Sequence, residues 1–234
     1  MAVENERLGR VFVDLCARPP TVEDAINMLA LYSRLNYKIV AIEKSPWLDT
    51  ARIEKAASDA GVQVIWRRTL RASRPREIQR QLRDSERGEI VAVAAETLEA
   101  ARFAARNKRV HILTVSPGME RIVDRSTLIL FQQRGWGVVE VHLLPVLAAT
   151  MEPERRLDYT LRAMFTIFRR AVGYNLPLVI SSCSNSPWLL PHPLHIIGLA
   201  ALGGIPEEVS IQWVTVNPLS VISRVNLGSG SQAR

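Results

Sequence analysis

Histidine and cysteine are scarce in this sequence. It has four histidines and two cysteines in 234 residues, and Cys16 and Cys183 stand far apart with no metal-ligand spacing. Hydrolytic metal centres draw several histidines and carboxylates together, and disulfide-stapled secreted domains need many cysteines. We therefore expect a reduced protein that binds no metal or other cofactor itself and has no catalytic residues.

Long uninterrupted apolar runs are also missing. Residues 171–206 contain no Asp, Glu, Lys or Arg, but Pro177, Pro187, Pro191 and Pro193 divide them. A membrane-spanning helix needs about 20 consecutive, mainly apolar residues. Residues 1–10 are polar and no apolar run follows them, so no signal peptide is expected. The sequence predicts a cytoplasmic protein that does not enter the membrane.

Lysine is rare beside arginine. The chain has 26 arginines against 4 lysines and a formal net charge of +7. The planar guanidinium group binds a phosphate through two parallel hydrogen bonds, which an ammonium group cannot do. The excess of arginine favours a polyanionic partner. Thermophily or genomic base composition is the alternative explanation, because composition says nothing about where the arginines lie.

Short apolar runs alternate with longer amphipathic stretches, as in βαβ units around a parallel sheet. The runs are nearly continuous in apolar residues, which is typical of strands buried on both faces. The predicted strands are residues 11–15, 39–42, 62–66, 90–94, 110–113, 138–143, 178–181 and 209–214.

The segments between these strands carry helix signals. Residues 128–131 could form a strand, but a helix at 124–134 leaves eight strands, each followed by a helix. That pattern predicts a (β/α)8 TIM-barrel-like α/β fold. It forms one domain over residues 1–225, with a flexible tail at 226–234. The other predicted helices are 21–36, 49–60, 75–86, 97–107, 153–173, 193–202 and 217–225.

Polar residues near the carboxyl ends of the predicted strands are the candidates for a barrel-mouth site. No general acid–base pair stands out among them. The loop 181–185 could bind an anion through its backbone N–H groups, or it could cap the next helix. The polar residues at the mouth are Asp14, Arg18, Glu140, Ser181 and Ser182, with Cys16, Glu43, Glu96, His142 and Asn185 nearby.

Eight arginines lie within 21 residues around the third predicted helix. The last four have offsets of 0, 4, 7 and 11, which place them on one face of a helix. We call these four the arginine stripe. It could bind RNA phosphates or an acidic protein, or it could be a solvated face balanced by Glu77, Asp84, Glu86 and Glu89. Exposed aromatic residues for base stacking are not obvious, which favours structured RNA. The eight are Arg67, Arg68, Arg71 and Arg74, then the stripe of Arg76, Arg80, Arg83 and Arg87.

The ordered motifs resemble the ribonuclease P protein component 3 family of archaea. The similarity runs through almost the whole chain, although each motif alone is short. It rests on FVDL at 12–15, LNY at 35–37, LTVSP at 113–117, VVEV at 138–141, LLPVL at 143–147, VISS at 179–182 and IIGL at 196–199.

The resemblance implies a barrel related to the polymerase-and-histidinol-phosphatase hydrolases but without their metal site. Asp14, Leu15 and Cys16 stand where those enzymes carry a His-x-His pair. The family assists an RNA enzyme that matures the 5′ ends of precursor tRNA. Its implied partners are ribonuclease P RNA, precursor tRNA indirectly, and a small subunit homologous to the yeast Pop-five protein. The resemblance places the catalytic Mg²⁺ on the RNA.

One motif departs from the family, and two other functions compete. The chain has Pro-His-Pro-Leu at 191–194 where the family usually has Arg-Ser-Pro-Arg, so the resemblance gives no phosphate contact there. A metal-dependent phosphoesterase would use Asp14, Glu43, Glu140 and His142. A scaffold that contacts only protein would bury the arginine stripe in a subunit interface.

Overall fold

A computed structural model describes residues 11–151 and 156–230. Within them, strands and helices alternate through the first six strands as the sequence predicts. In the same residues, two α-helices follow the sixth strand, of which the one at 144–151 was not predicted, and three follow the seventh. The strands are β1 Phe12–Ala17, β2 Tyr37–Glu43, β3 Gln63–Ala72, β4 Ile90–Ala95, β5 Ile112–Val115, β6 Val138–His142 and β7 Leu178–Ser181. The helices are α1 Val22–Arg34, α2 Thr50–Ala60, α3 Pro75–Arg83, α4 Leu98–Arg106, α5 Arg125–Arg134, α6 Leu144–Met151, α7 Leu157–Gly173, α8 Pro193–Leu202, α9 Glu207–Gln212 and α10 Val216–Gly230.

The seven strands form one parallel sheet in the order of the chain, from β1 to β7. The sheet curls until its edges meet, with an isolated bridge between Ala17 and Ser184. Below that bridge, the carbonyls of Trp213 and Val214 accept hydrogen bonds from Ile180 of β7 and Val13 of β1. The fold is therefore a nearly closed, TIM-barrel-like α/β barrel, which confirms the predicted fold class.

The prediction of an eighth strand at residues 209–214 is wrong. This segment belongs mostly to α9, and only the two carbonyls that follow the helix take part in closing the barrel. Pro206 precedes the helix, and Glu207 and Glu208 lie in its first turn, where acidic side chains favour a helix N-terminus. These start signals outweigh the alternation of apolar and polar residues that indicated a strand.

Helix boundaries agree well with the prediction where a capping residue is present. The hydroxyl of Thr21 caps α1, Asp49 caps α2, and Gly61 ends α2 in a left-handed conformation. The ambiguous segment at 124–134 is the helix α5, capped by Asp124 and ended by Gly135.

Other boundaries differ from the prediction. Helix α3 ends at Arg83, three residues early, so Arg87 lies in a turn beyond it. Helix α10 continues through Gly230 into the predicted tail, whose remaining residues, 231–234, lie outside the described residues. Residues 153–155 of the predicted helix at 153–173 also lie outside them.

Two apolar clusters hold the barrel together. The larger fills the space between the strands and the surrounding helices. The smaller fills the barrel itself and includes Val13, Leu15, Ile65, Ile112 and Val138. Val221, Ile222 and Val225 of α10 belong to this inner cluster, so α10 closes the end of the barrel opposite the carboxyl ends of the strands. No helix in the described part of the chain is long and apolar enough to cross a bilayer.

Candidate functional site

A polar layer lies above the apolar interior of the barrel. Side chains in a strand alternate between its two faces, so the residue two positions beyond an inward apolar residue also points inward. On β3, β5, β6 and β7 that residue is polar. The pairs are Ile65 and Arg67, Ile112 and Thr114, Val138 and Glu140, and Val179 and Ser181.

Arg67 and Glu140 form a bidentate ion pair at the centre of this layer. The Nη1 and Nη2 groups of Arg67 each donate to one carboxylate oxygen of Glu140 at 2.6 Å. Both side chains are fully buried. Arg67 also donates to the carbonyl of Leu15 and the hydroxyl of Thr69, while Glu140 accepts from Thr114 and Ser181. The pair is thus hydrogen-bonded on all sides.

The charges in this layer stabilise one another. Burial by itself would raise the pKa of Glu140, but the guanidinium of Arg67 and the ring of His142 hold it well below its usual value. Burial would likewise lower the pKa of His142, but Glu140 and Cys16 raise it to about 9. Glu140 is therefore an ionised structural acceptor, not a carboxyl group ready to exchange a proton near neutral pH.

Glu43 is the second carboxylate of the mouth. Its two oxygens accept from the backbone N–H and the hydroxyl of Thr69, each at 2.6 Å. Arg67 and Arg18 also lie within ion-pair distance of it, at 3.6 and 3.8 Å. Arg18 therefore lies at the mouth of the barrel, as the sequence predicts.

Asp14, also predicted at the mouth, does not face it. Its carboxylate lies beneath α1, where it accepts from the Tyr32 hydroxyl at 2.7 Å. The backbone N–H groups of Cys16 and Ser182 donate to its other oxygen at 3.1 Å. Burial raises the pKa of Asp14, and these hydrogen bonds oppose that rise. Asp14 ties β1 to β7 and α1, and is separate from Glu43 and Glu140.

Ser181 and Ser182 lie at the end of β7 as predicted, and three backbone N–H groups of residues 182–186 already donate to protein acceptors. The N–H of Ser182 donates to Asp14, and the N–H groups of Ser184 and Ser186 donate to serine hydroxyls. The loop does not cap α8, because His192 does so through Nδ1. The capping prediction is therefore wrong, whereas the anion-binding alternative stays a prediction.

Cys16 and Cys183 are brought together at the mouth. Their sulfurs and a ring nitrogen of His142 all lie within 4.8 Å of one another. This cluster could not be predicted from the sequence, because the two cysteines are distant in the chain and their strands become neighbours only when the barrel closes.

The eight predicted binding arginines separate into two groups. Arg67 is inside the barrel and Arg68 is ion-paired with Glu89 at 3.2 Å. Arg67 is therefore inaccessible to a phosphate, which corrects its place in the predicted set. The other six are exposed: Arg71, Arg74, Arg76, Arg80, Arg83 and Arg87.

The exposed face of α3 carries positive charge that no other residue in the described part of the chain balances through an ion pair. Ile78 and Leu82 face the core, while Arg76, Arg80 and Arg83 lie on the opposite face. These three arginines form no ion pair with any other described residue. The arginine stripe is thus a helical set of three, with Arg87 in the turn that follows.

The acidic residues expected to balance the stripe are mostly engaged elsewhere. Glu77 accepts from the backbone N–H groups of Ser73 and Arg74 and so caps its own helix. Glu86 pairs with Lys44 at 2.7 Å, and Glu89 pairs with Lys44 and Arg68. Only Asp84, exposed at the end of α3, carries no such contact among the described residues.

Two further surface features, apart from the arginine stripe, were not predicted from the sequence. A groove of about 500 Å³ runs between α3 and α4, lined by Pro75, Phe103, Arg102 and Arg106 among others. Trp47 and Trp188 are 69% and 93% exposed on the loops after β2 and β7. The expectation of no exposed stacking aromatics was wrong, because the exposure of a tryptophan in a loop depends on tertiary packing that its neighbours in sequence do not reveal.

The family profile described as RNase P subunit p30 matches residues 11–228. A curated relative, ribonuclease P protein component 3 of Aeropyrum pernix, is 32% identical over 212 residues, which are 90% of this chain and 96% of the relative. The chain belongs to the ribonuclease P subunit p30 family.

Solved structures share the fold of this p30-family chain at low identity. A chain in a cryo-EM structure of archaeal ribonuclease P with mature tRNA matches with a TM-score of 0.74 and 15% identity, over 95% of both chains. A crystal structure of an amidohydrolase matches with a TM-score of 0.58 and 10% identity, over 96% of this chain and 78% of that one. The barrel is therefore shared with hydrolases.

The carboxylates of this p30-family chain do not fit a hydrolytic metal centre. Glu140 is held by Arg67, Glu43 by Thr69 and two arginines, and Asp14 by Tyr32 on another side of β1. A guanidinium group fills the middle of the interior where such carboxylates would have to converge. The geometry does not favour a phosphoesterase built on Asp14, Glu43, Glu140 and His142.

Proposed function

We propose that this chain is a non-catalytic subunit of ribonuclease P, the RNA-based endonuclease that generates mature 5′ ends of tRNA. It binds ribonuclease P RNA and a small protein subunit homologous to the yeast Pop-five protein, and it meets precursor tRNA indirectly. The Mg²⁺ used for cleavage is held by the RNA. The protein acts in the cytoplasm.

The unbalanced charge on α3 is the observation that carries this proposal. Three guanidinium groups at offsets of 0, 4 and 7 project from one rigid helix and have no ion partner among residues 11–151 and 156–230. Arginine side chains bind phosphates in a bidentate manner, and each neutralised phosphate releases a counterion. A row of them favours a polyphosphate backbone over a small ligand, and family membership makes ribonuclease P RNA the natural candidate.

The salt dependence of RNA binding tests this assignment. In the variant Arg76→Ala, Arg80→Ala, Arg83→Ala, RNA affinity should fall, and the slope of log K against log salt should shrink by roughly 2 to 3. Filter binding or fluorescence anisotropy with ribonuclease P RNA, over a range of salt, measures both quantities in the chain alone and with the small subunit.

A matched control removes three cations from another part of the surface. Arg34, Lys38 and Lys55 are exposed on α1, β2 and α2, and their replacement by alanine should leave affinity and slope nearly unchanged. Equal losses in both variants would mean that only net charge matters. If the α3 variant loses binding to the small subunit but keeps its affinity for RNA, the stripe binds protein instead of RNA.

A further inference from the structure

The carboxyl ends of β1 and β7 bring two thiols and an imidazole together. Ala17 and Ser184 form the bridge that closes the barrel, and Cys16 and Cys183 immediately precede them on the two sides. His142 ends β6, the neighbour of β7. The two sulfurs and a ring nitrogen of His142 lie within 4.8 Å of one another, and both cysteines are free and buried.

The histidine of this cluster is oriented by a carboxylate. Nε2 of His142 is 2.8 Å from Oε2 of Glu140, which Arg67 and Thr114 fix in turn. A histidine that ligates a metal through one ring nitrogen usually donates its other N–H to a carboxylate. With Nε2 engaged by Glu140, Nδ1 is the nitrogen that remains for a ligand.

The surrounding charges are compatible with a divalent ion bound by thiolates. The charge of Arg67 acts on both thiols and that of Arg18 on Cys183, and the two arginines are balanced by Glu43 and Glu140. Two thiolates and a neutral imidazole cancel the charge of one divalent cation. The bound site would therefore leave this buried region with no net charge.

We propose that Cys16, Cys183 and His142 bind one Zn²⁺ ion. Two soft sulfurs and one imidazole select zinc over Mg²⁺ or Ca²⁺, which prefer oxygen ligands. A water or a partner group would complete the tetrahedron from the side of the mouth cavity, of about 270 Å³, which His142 lines together with Arg18 and Arg71.

Three protein ligands and one open position are the usual arrangement of a catalytic zinc site, but the position of this ion in the fold points to a stabilising role. It joins β1, β6 and β7 at the seam of the barrel, where helix α9 stands in place of an eighth strand. The proposal departs from the sequence-based expectation that the chain binds no metal, an expectation that rested on the spacing of the cysteines. It does not depend on the proposed role in ribonuclease P.

Metal analysis and cobalt substitution of the isolated chain test the site. Protein purified under reducing conditions in a zinc-containing buffer and then desalted should retain one zinc per chain by elemental mass spectrometry. Chelator-treated protein titrated with Co²⁺ should develop thiolate-to-cobalt charge-transfer absorption that saturates at one equivalent, and zinc should abolish it. Chelation should lower the Tm of the wild-type chain by several degrees.

Single variants separate the site from adventitious binding. Cys183→Ser and Cys16→Ser should each lose the charge-transfer band and most of the zinc, whereas His195→Ala, at an exposed histidine outside the cluster, should keep both. Intact-mass analysis after alkylation of the unfolded chain shows the state of the thiols. A Cys16–Cys183 disulfide, or wild-type protein without zinc and without a cobalt band, overturns the proposal. Because the wild-type titration decides this alone, a variant that fails to fold does not obscure the result.

Discussion

Arg67 and Glu140 place two full charges in the interior of the barrel. Removing such ions from water costs several kcal/mol each, and close attraction offsets that cost only when geometry and hydrogen bonding are complete. Here both contacts are 2.6 Å and further donors and acceptors surround them. The pair as a whole adds little net stability, but removing either partner alone would leave a buried charge without its counter-charge and destabilise the fold.

Replacing one partner should be much worse than replacing both. Arg67→Met leaves the carboxylate of Glu140 buried without its main counter-charge, and we expect the free energy of unfolding to fall by about 3–5 kcal/mol. Adding Glu140→Gln should recover part of the loss. Urea unfolding of the two single variants and the double variant gives the coupling energy. Additive losses would show that the two charges do not stabilise each other.

His111 makes stability sensitive to mild acid. It lies at the start of β5, where its Nδ1 accepts from the N–H of Val91 at 2.9 Å. Burial, together with the nearby charge of Arg134, lowers the pKa of His111 to about 4. The unfolded chain therefore binds a proton at His111 between that pH and about 6.5 while the folded chain does not, so stability falls as pH falls through this window.

The variant His111→Asn isolates this effect. Wild-type protein should lose about 2 kcal/mol more stability than the variant between about pH 7 and pH 5. Chemical unfolding at several pH values measures the difference, and other titrating groups cancel in the comparison. Parallel pH profiles for the two proteins would contradict this prediction, because they would show that the pKa of His111 is the same in the folded and unfolded chains.

The inward orientation of Arg67 could be predicted from the sequence only in part. The predicted third strand ended at Trp66, so Arg67 was assigned to a loop. Extending the alternation of Ile65 by two positions would have turned Arg67 inward, but a buried arginine is improbable unless a partner is known. That partner, Glu140, is 73 residues away along the chain.

Among the secondary-structure elements, local sequence signals predict the helices better than the strands. The caps Thr21, Asp49 and Asp124 each accept a hydrogen bond from the backbone N–H three residues further along the chain. The periodicity of the arginine stripe was correct for three of its four members, and the early end of α3 moves Arg87 off the helix. The orientation of the stripe towards solvent follows from the buried residues Ile78 and Leu82.

Strand pairing at the seam needed tertiary information. Alternating residues such as Val209, Ile211 and Trp213 match a strand as well as a short helix, and Pro206 with two glutamates decides for the helix. The proximity of Cys16 and Cys183 depends on the same closure. Neither could be predicted without knowing that β1 and β7 become neighbours.

Helix α10 closes the end of the barrel opposite the carboxyl ends of the strands. We therefore expect its buried side chains to contribute to stability. Ile222 is 6% exposed within the inner cluster, so Ile222→Ala should lower the free energy of unfolding by about 2–4 kcal/mol. Leu202→Ala, at a position that is 79% exposed on α8, should change it by less than about 0.5 kcal/mol. Denaturant unfolding compares them. Equal effects would mean that α10 does not seal the barrel.

For the molecule as a whole, the barrel combines a rigid interior with a positively charged exterior. The net charge of +7 favours association with a polyanion at long range, while the exposed side chains of α3 give that attraction a direction. The fold class could be predicted from the alternation of elements, and the family from ordered motifs. The interior ion pair could not, because its members come from different strands.

Reconstituted cleavage of precursor tRNA tests the central claim most directly. Ribonuclease P RNA with its other protein subunits is assayed with and without this chain, beside the chain alone in Mg²⁺. The chain should increase cleavage at the 5′ end by the RNA, while the isolated protein cleaves nothing. Hydrolysis by the isolated chain, or cleavage that its addition leaves unchanged, would contradict a non-catalytic role in the ribonuclease P assembly.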